Sequence, residues 1–468
     1  MVAEVRRLAG AFCGIFAGEK LRTIRFGLKG VNNLQILWGI GGMVVLLAIA
    51  FAFSENKRAI SVRAVAGAFA IQIVFGVLVL YTDIGARALE AVAQGVQAVI
   101  NSSGEGINFL FGAVLPGPDE GIVFAFQVLP VIIFFASLTS VLYYLGILQW
   151  VIRILGGAIQ KALGTSQAES MSASANIFVG QTEAPLVVRP FVERMTRSEL
   201  FAIMSGGLAS VAGSVLVGYS LLGAQLEYLI AAAFMAAPGG LLMAKMLVPE
   251  TETPETLGGE RVRQLDRRAA AAGEERIEEE ESSSGTHVGM ESVIEDPPRN
   301  VIDAAARGAL DGLRLALNVG AMLLAFISLI AVINLVLTSV GGLFGFPDLT
   351  FQLILGYIFA PIMFIIGVPW SEAIQAGSFL GQKLVLNEFV AFTEFGPQVE
   401  EFSEKAQAII TFALTGFANL SSIAILIGGI GGMAPSRRGQ IAQLGLKAVL
   451  AGTLSNLMSA TLAGMLIG

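Results

Sequence analysis

GQTEAP at residues 180–185 decides how this chain is interpreted, because it places a carboxylate, Glu183, in a region otherwise apolar enough to lie in a lipid bilayer. The second half of the chain has a counterpart, NEFVAF at residues 387–392, where Glu388 is in the same situation. An ionisable group at membrane depth costs about 2.5–3.5 kcal/mol on insertion scales, so it usually faces a cavity, a partner or a ligand. We therefore expect both glutamates to be buried and to belong to a functional site.

The composition around these two stretches sets the class of protein. Of 468 residues, 55% are hydrophobic and only 14% are charged, which is outside the range of soluble domains of this length. The single cysteine, Cys13, cannot form an intrachain disulfide, and His287 lies in a polar segment. The chain is predicted to be an all-α polytopic membrane protein.

Apolar runs of about 20 residues, the length that crosses a bilayer as a helix, predict eight transmembrane helices. They lie near residues 34–53, 64–82, 121–148, 198–222, 226–248, 313–338, 406–433 and 445–468. Residues 83–118 fit a helix lying at the membrane interface better than an ordinary external loop, because apolar residues lie along one side with charged or polar residues between them: Ile84, Leu89, Val92, Val96 and Val99.

Two further regions fit neither a span nor a loop. Residues 165–190 are rich in Ser, Ala and Gly, and residues 350–393 begin apolar but are interrupted by Pro361 and Pro369. Non-helical backbone survives at membrane depth only when it is buried in protein or lines a water-filled cavity. We predict a re-entrant helical hairpin at 165–190 and a second one within 350–393.

The distribution of Lys and Arg among short loops predicts the orientation, because cytoplasmic loops carry the positive excess. It indicates that the first hairpin enters from the cytoplasm and the second from outside. The basic N-terminal segment, residues 1–33, is placed outside by this count, against the rule. Either a start codon placed too far upstream or a short interfacial segment explains this conflict.

Residues 249–298 form an acidic linker, with 14 acidic and 5 basic residues. Such a segment buries too little apolar surface to offset its ordering entropy, so we expect a disordered cytoplasmic loop. The chain then divides into the N-terminal segment 1–33, two spans with the interfacial helix at 34–120, a first repeat at 121–248, the linker, and a second repeat at 299–468.

The two repeats follow one pattern. In each, a glutamate in a hairpin is followed by a span rich in small and polar residues and then by another span. Ser214 follows Glu183 by 31 residues, and Asn419 follows Glu388 by the same 31. Because the hairpins enter from opposite sides, the repeats are inverted, as in many secondary transporters that bind substrate near the midplane between broken helices.

The polar residues of these regions offer hydrogen bonding and no obvious bond-making chemistry. Gln181 and Thr182 add an amide and a hydroxyl to Glu183, while Asn419 and Ser422 accompany Glu388. A solute with several hydroxyls and a flat polar heterocycle matches both groups, and Phe417 could stack on such a ring. Hydrogen bonding between helices is the alternative role for Asn419 and Ser422, and packing is the alternative for Phe417.

Three segments carry a resemblance to a known family. NIFVGQTEAPL at 176–186, GQKLVLNEFVA at 381–391 and GFANLSSI at 416–423 resemble the signature segments of the concentrative nucleoside transporters, the sodium-coupled nucleoside symporters. The similarity extends from about residue 34 to the C-terminus and is interrupted by the acidic linker. It implies a homotrimer in which each protomer has its own transport path, made of a scaffold part and a mobile part that holds both hairpins.

The resemblance also implies roles for single residues. Gln181, Thr182 and Glu183 would recognise the nucleobase, helped by Val215 and Phe417, and Glu388, Asn419 and Ser422 would hold the ribose hydroxyls. Sodium would be held by the side chains of Asn176 and Ser210, with the backbone carbonyls of Val179 and Val211 nearby. Oxygen ligands suit a hard cation, although some members of the family couple to protons instead.

The sequence therefore predicts sodium-coupled symport of nucleosides into the cell by alternating access, in a multi-pass protein of the plasma membrane. The expected partners are a nucleoside, sodium as the coupling ion, membrane lipid and two further copies of the chain, with no nucleic acid and no other cofactor. A transporter of another small polar solute and a nucleoside receptor that moves nothing remain alternatives. An intramembrane enzyme is disfavoured because no histidine lies in any predicted span.

Overall fold

The computed structural model describes residues 33–116, 123–257 and 298–467, and every regular element in these ranges is a helix. The first half contains α1 (Asn33–Ala52), α2 (Val62–Gly76), α3 (Asp83–Phe111), α4 (Phe124–Gln127), α5 (Leu129–Tyr144), α6 (Ile147–Leu163), α7 (Gln167–Ala175), α8 (Arg197–Ala209), α9 (Gly213–Leu221) and α10 (Leu226–Leu247). The second half contains α11 (Val301–Leu343), α12 (Phe351–Ile365), α13 (Trp370–Val385), α14 (Glu388–Phe395), α15 (Glu404–Leu414), α16 (Ser421–Met433) and α17 (Arg438–Ile467). The all-α prediction is confirmed.

Within the described ranges, seven segments are long and apolar enough to cross a membrane. They are Gln35–Ala52, Val62–Tyr81, Phe124–Tyr144, Arg197–Leu221, Leu226–Leu247, Val301–Leu343 and Pro435–Ile467. Each corresponds to a predicted span, although the span expected at 313–338 begins already at Val301 and the last one begins near residue 435. The sequence reading overlooked α6, whose apolar side packs on α7 while Trp150 on its other side is exposed.

The predicted continuous span at 406–433 is wrong, because the structure divides it into α15 and α16 with a non-helical segment from Thr415 to Leu420 between them. The span at 198–222 is broken as well, since Ser210 and Ala212 have extended backbone between α8 and α9. Both halves of the chain therefore contain a helix interrupted in its middle. A hydropathy pattern does not register these breaks because their residues are mostly small or apolar.

Both predicted hairpins are present. The first consists of α7, a turn at 176–183, and a returning arm that is a 3₁₀ helix, Ala184–Phe191, with a kink at Val188. The second consists of α13 and α14, joined through Leu386 and Asn387, so it begins 20 residues inside the predicted region. Residues 351–365 form a separate helix, α12, which packs along α13 at a bend of 117°.

The N-termini of these arms follow from local sequence. Ser166 and Glu169 form a capping box in front of α7, and Thr196 and Glu199 form another in front of α8. Asn387 starts α14, since its side-chain oxygen accepts a hydrogen bond from the Val390 N–H at 3.0 Å. Each cap satisfies backbone donors that a helix start leaves open.

The acidic linker is ordered at its beginning, contrary to the prediction of disorder over 249–298. Thr256 accepts hydrogen bonds from the backbone N–H groups of Gln167 and Ala168, at 3.1 and 3.3 Å, and Glu250 accepts one from the Thr196 hydroxyl at 2.9 Å. These residues are held because they supply acceptors to the starts of α7 and α8. Residues 258–297 lie outside the described part of the chain, as does the basic segment up to residue 32.

Residues 83–111 form one helix, α3, so the alternative of an ordinary loop is wrong for this stretch. The centre of the molecule is formed by α17, which packs against α8, α10, α15 and α16. The two helix breaks and the two hairpin turns meet around this central helix, and this is where the candidate site lies.

Candidate functional site

The turn of the first hairpin packs onto the break between α8 and α9. The Gly213 N–H donates to the Phe178 carbonyl at 3.1 Å, and a Cβ at Gly180 would lie 3.5 Å from the Ala212 Cβ. The Asn176 amide nitrogen would lie 3.3 Å from a Cβ at Gly206. A bulkier residue than glycine there would crowd the Asn176 carboxamide.

The second hairpin packs onto the other break in the same way. The Leu420 N–H donates to the Leu384 carbonyl at 3.1 Å, and the Phe417 N–H donates to the Ser210 carbonyl at 3.1 Å. The two breaks are therefore in direct backbone contact. Residues more than 200 positions apart in the sequence form one site.

A chain of side-chain hydrogen bonds runs through this site. The Tyr219 hydroxyl donates to Glu388 Oε1 at 2.9 Å, and the Asn419 amide donates to Glu388 Oε2 at 3.1 Å. The Asn419 Oδ1 atom accepts from the Ser422 backbone N–H at 2.9 Å, and the Gln181 amide donates to the Ser422 hydroxyl at 3.3 Å. The structure thus brings Gln181 of the first repeat together with Glu388, Asn419 and Ser422 of the second.

The two glutamates differ in exposure. The side chain of Glu388 is 4% exposed, as expected for a carboxylate in the protein interior. Glu183 is enclosed by protein atoms but keeps solvent-accessible surface, so it lies in the interior as predicted and is less completely covered than Glu388. Glu183 ends the turn of the first hairpin, and its Oε2 atom folds back to accept from the Gly180 N–H at 3.2 Å.

The remaining predicted substrate residues border this network. Thr182 lies against α16, where its Cγ2 atom would be 2.9 Å from a Cβ at Gly429. Val215 is buried on α9, and Phe417 is half-buried in the break between α15 and α16.

The residues predicted to bind a cation, Asn176, Val179, Ser210 and Val211, are all buried where the first hairpin meets the α8–α9 break. Asn176 is 1% exposed, and neither atom of its carboxamide has a hydrogen-bond partner in the described part of the chain. An unsatisfied buried amide is costly unless a ligand or ion completes it. The side-chain oxygens of Asn176 and Ser210 and the backbone carbonyls of Val179 and Val211 form a set of oxygen ligands that fits a hard cation such as sodium.

Sequence reasoning missed Tyr219. This tyrosine is fully buried, bonds to Glu388, and packs on the rings of Phe389 and Phe392, with centroids 4.8 and 4.4 Å away. It lies one helical turn after Val215 on α9, so the i, i+4 spacing from a predicted site residue was the signal that could have identified it.

An all-α membrane protein with two interrupted helices and two hairpins around one polar network has the architecture of a secondary transporter. Comparison with known proteins makes this specific. Family models match residues 41–114 (Na+ dependent nucleoside transporter N-terminus), 125–226 (nucleoside recognition gate) and 228–464 (Na+ dependent nucleoside transporter C-terminus).

Curated relatives agree with this match over nearly the whole chain. An uncharacterised transporter of Haemophilus influenzae is 55% identical over 93% of this chain and 99% of its own length. The nucleoside permease NupC of Helicobacter pylori is 50% identical over 92% of this chain and 98% of its own length. Sodium/nucleoside cotransporter 1 of Mus musculus is 36% identical over 94% of this chain and 65% of its own length.

Solved structures of the protein CNTnw have the same fold. Its inward-facing, substrate-bound structure is 52% identical and superposes with a TM-score of 0.82 over 92% of this chain and 98% of that one. An outward-facing variant of it is 51% identical, with a TM-score of 0.82 over 92% and 97%. The chain belongs to the concentrative nucleoside transporter family, and it is a transporter and not an enzyme.

Proposed function

We propose that this protein is a sodium-coupled symporter that carries nucleosides into the cell by alternating access across the plasma membrane. The observation that carries the proposal is the hydrogen-bond network in which Gln181 of one repeat meets Ser422, Asn419 and Glu388 of the other. A solute bound there contacts both repeats at once. Movement of the part that holds both hairpins against the scaffold part then changes the side from which the solute is reached.

The ribose hydroxyls are assigned to the Glu388 end of the network. A carboxylate accepts hydroxyl donors well, and a charge-assisted hydrogen bond is about twice as strong as a neutral one. Tyr219 and Asn419 donate to the two oxygens of Glu388 and so fix the orientation of the carboxylate before the nucleoside arrives. Asn419 and Ser422 supply further donors and acceptors at this end.

The nucleobase is assigned to the turn of the first hairpin. The buried Gln181 Oε1 atom has no hydrogen-bond partner among the described residues, so it is free to accept from a base. Thr182 and the solvent-accessible Glu183 add a hydroxyl and a carboxylate beside it. Val215 and Phe417 provide apolar surface for the ring.

The sodium ion is assigned to Asn176, Ser210 and the carbonyls of Val179 and Val211. The unpartnered carboxamide of Asn176 supports this assignment, as does the sodium dependence named for the matching family and for the mouse relative. A cation there would stabilise the hairpin turn that carries Gln181, Thr182 and Glu183. Sodium would thereby raise nucleoside affinity, because it would bind one conformational state of the protein more tightly than the other.

A homotrimer in the cell membrane is part of the proposal. Helix α11 spans 43 residues and leaves much of its apolar surface exposed, including Leu324, Leu335 and Leu343. Contact with lipid and with further copies of the chain would cover this surface. Native mass spectrometry of the detergent-solubilised protein tests the trimer directly.

The coupling is tested in proteoliposomes containing purified protein. Uptake of radiolabelled uridine should be driven by an inward sodium gradient, and unlabelled adenosine should be included as a competitor and succinate as a control solute. Uptake that responds only to a proton gradient would reassign the coupling ion. Binding of nucleosides without flux under either gradient would indicate that the protein acts as a receptor and does not transport them.

A further inference from the structure

Lys383, on α13 of the second hairpin, is fully buried, yet the proposed function gives it no role. Its ammonium group donates to the Ala413 carbonyl at 2.7 Å and to Asn456 Oδ1 at 2.8 Å. Both acceptors are neutral oxygens, although Lys383 and Glu388 also interact through their opposite charges. A buried lysine that uses carbonyl oxygens as partners needs an explanation, because burying an ammonium is expensive.

Asn456, on the central helix α17, extends this contact to both broken helices. Its amide donates to the Ala209 carbonyl at 2.7 Å, at the end of α8, and to the Thr415 carbonyl at 2.8 Å, just after α15. A Cβ on Gly416 would collide with the Asn456 carboxamide, so a glycine is required at that place. Lys383 and Asn456 together hold the C-terminal ends of α8 and α15.

The C-terminal end of a helix carries unpaired carbonyl oxygens and a partial negative charge, and a cation placed there is stabilising. An interrupted helix creates such an end in the middle of the membrane, where water cannot satisfy it. In the second repeat the ammonium of Lys383 lies at this end. The positive charge and the N–H donors of this ammonium group both match the carbonyl oxygens that the break leaves unpaired.

The first repeat has the same residue spacings without a lysine. Phe178 precedes Glu183 by five residues, as Lys383 precedes Glu388, and it lies between Asn176 and Val179 of the proposed sodium site. Ser210 and Val211 follow Glu183 by 27 and 28 residues, and Thr415 and Gly416 follow Glu388 by the same distances. Asn456 thus contacts the counterpart of the segment assigned to sodium, and Lys383 bonds to Asn456 and to Ala413, two residues before that counterpart.

We propose that Lys383 is a tethered cation: in the second repeat its ammonium group takes the position that sodium takes in the first, and it fixes the α15–α16 break for nucleoside binding. The inference rests on the sodium site of the proposed function for this correspondence. It makes Lys383 a positioning residue that acts through the break carrying Phe417, Asn419 and Ser422. Only the first repeat then responds to the sodium concentration.

The test compares Lys383→Asn and Lys383→Met with the unsubstituted protein in proteoliposomes. Methionine removes the charge and cannot bind sodium, so uptake should fall about 100-fold at every sodium concentration. Asparagine leaves space and a side-chain oxygen beside Ala413 O and Asn456 Oδ1, which together suit a free sodium ion. Lys383→Asn should recover most of its uptake at high sodium, and the Hill coefficient for sodium should rise by about one.

Thermal unfolding in rising sodium chloride, with choline chloride as the control salt, gives a second measurement that does not need transport. Sodium should raise the melting temperature of Lys383→Asn more than that of the unsubstituted protein, and it should not do so for Lys383→Met. Near-normal uptake by Lys383→Met would overturn the inference. The inference would also be overturned if, at high sodium, Lys383→Asn were neither more stable nor more active in transport than Lys383→Met.

Lys405→Met is the matched control, since Lys405 lies in the first turn of α15, away from the break. It should leave both uptake and sodium activation unchanged. The experiment also separates this inference from the proposed function. If the unsubstituted protein proves to be proton-coupled, the sodium assignment and the correspondence with the first repeat fail, whereas a new sodium activation in Lys383→Asn would still show that the Lys383 ammonium occupies a cation site at the break.

Discussion

Two buried lysines hold the two hairpins of this protein in opposite ways. Lys245 on α10 forms an ion pair with Glu169 at the base of the first hairpin and donates to the Ser198 hydroxyl at 2.8 Å. Lys383 lies within the second hairpin, and its hydrogen-bond acceptors among the described residues are neutral oxygens beside the helix breaks. The charge of Lys245 is neutralised by a carboxylate, whereas the ammonium of Lys383 satisfies a carbonyl oxygen at the end of an interrupted helix.

This difference indicates which part of each hairpin is fixed by the protein itself. The first hairpin is anchored at its base, and its turn keeps polar atoms of Asn176 and Gln181 without partners in the described residues. The second hairpin is anchored close to its turn, where Asn387, Glu388 and Lys383 are all hydrogen-bonded. The turn of the first hairpin therefore has unpartnered polar atoms with which to bind an ion and a base.

The greatest loss of stability is expected at the base of the first hairpin. Lys245→Met leaves the buried Glu169 without its counter-charge, and we expect a loss of about 3–5 kcal/mol in the free energy of unfolding. Chemical denaturation in detergent measures this loss, and the steepness of sodium activation should stay unchanged. A variant within about 1 kcal/mol of the unsubstituted protein would mean that the pair does not anchor the hairpin.

Substitution of Glu388 comes next in magnitude. Glu388→Gln keeps the shape of the side chain but loses the charged acceptor for ribose hydroxyls, so uridine uptake should fall about 100-fold, or about 2.7 kcal/mol. Proteoliposome flux measures it, with Glu372→Gln, at the start of the same hairpin, as the control. Wild-type uptake by Glu388→Gln would remove this residue from the site.

A smaller effect is expected at the turn of the first hairpin. Asn176→Ala should raise the sodium concentration for half-maximal uptake about tenfold, because one oxygen ligand is lost. Ser172→Ala is a matched control, since the Ser172 hydroxyl is also buried without a described partner but lies one turn earlier on α7. Equal sodium responses in the two variants would argue against a cation at Asn176.

The smallest effect concerns an ion pair that is partly exposed. A hydrogen bond from Arg197, aided by Lys447, lowers the pKa of Glu55 to about 2. Because this pKa lies below the unfolded value of 4.5, the contribution is present above pH 4.5 and is lost as the pH falls toward 2. Glu55→Gln should remove less than about 1 kcal/mol of stability at pH 6 and nothing near pH 2, measured by thermal unfolding across that range. An equal loss at both pH values would show that the pair acts through packing.

Much of the architecture was predictable because hydropathy and polar motifs are local properties of the sequence. The apolar runs predicted the spans, and GQTEAP and NEFVAF predicted the hairpins that carry Glu183 and Glu388. The breaks at Ser210 and Thr415 were not predictable, because small and apolar residues continue through them and intrinsic helix propensity is a weak signal. The order at the start of the linker was also missed, since it depends on helix starts that are distant in sequence.

The sequence by itself determined the membrane class, the repeated order of hairpin and span, and the identity of the polar residues at each turn. Only the tertiary structure decided that Gln181 meets Ser422, that Tyr219 reaches Glu388, and that Glu183 keeps solvent-accessible surface inside the protein while Glu388 does not. The physical reason is that hydrogen bonds between the two repeats depend on how the interrupted helices pack around α17. No local pattern encodes that packing.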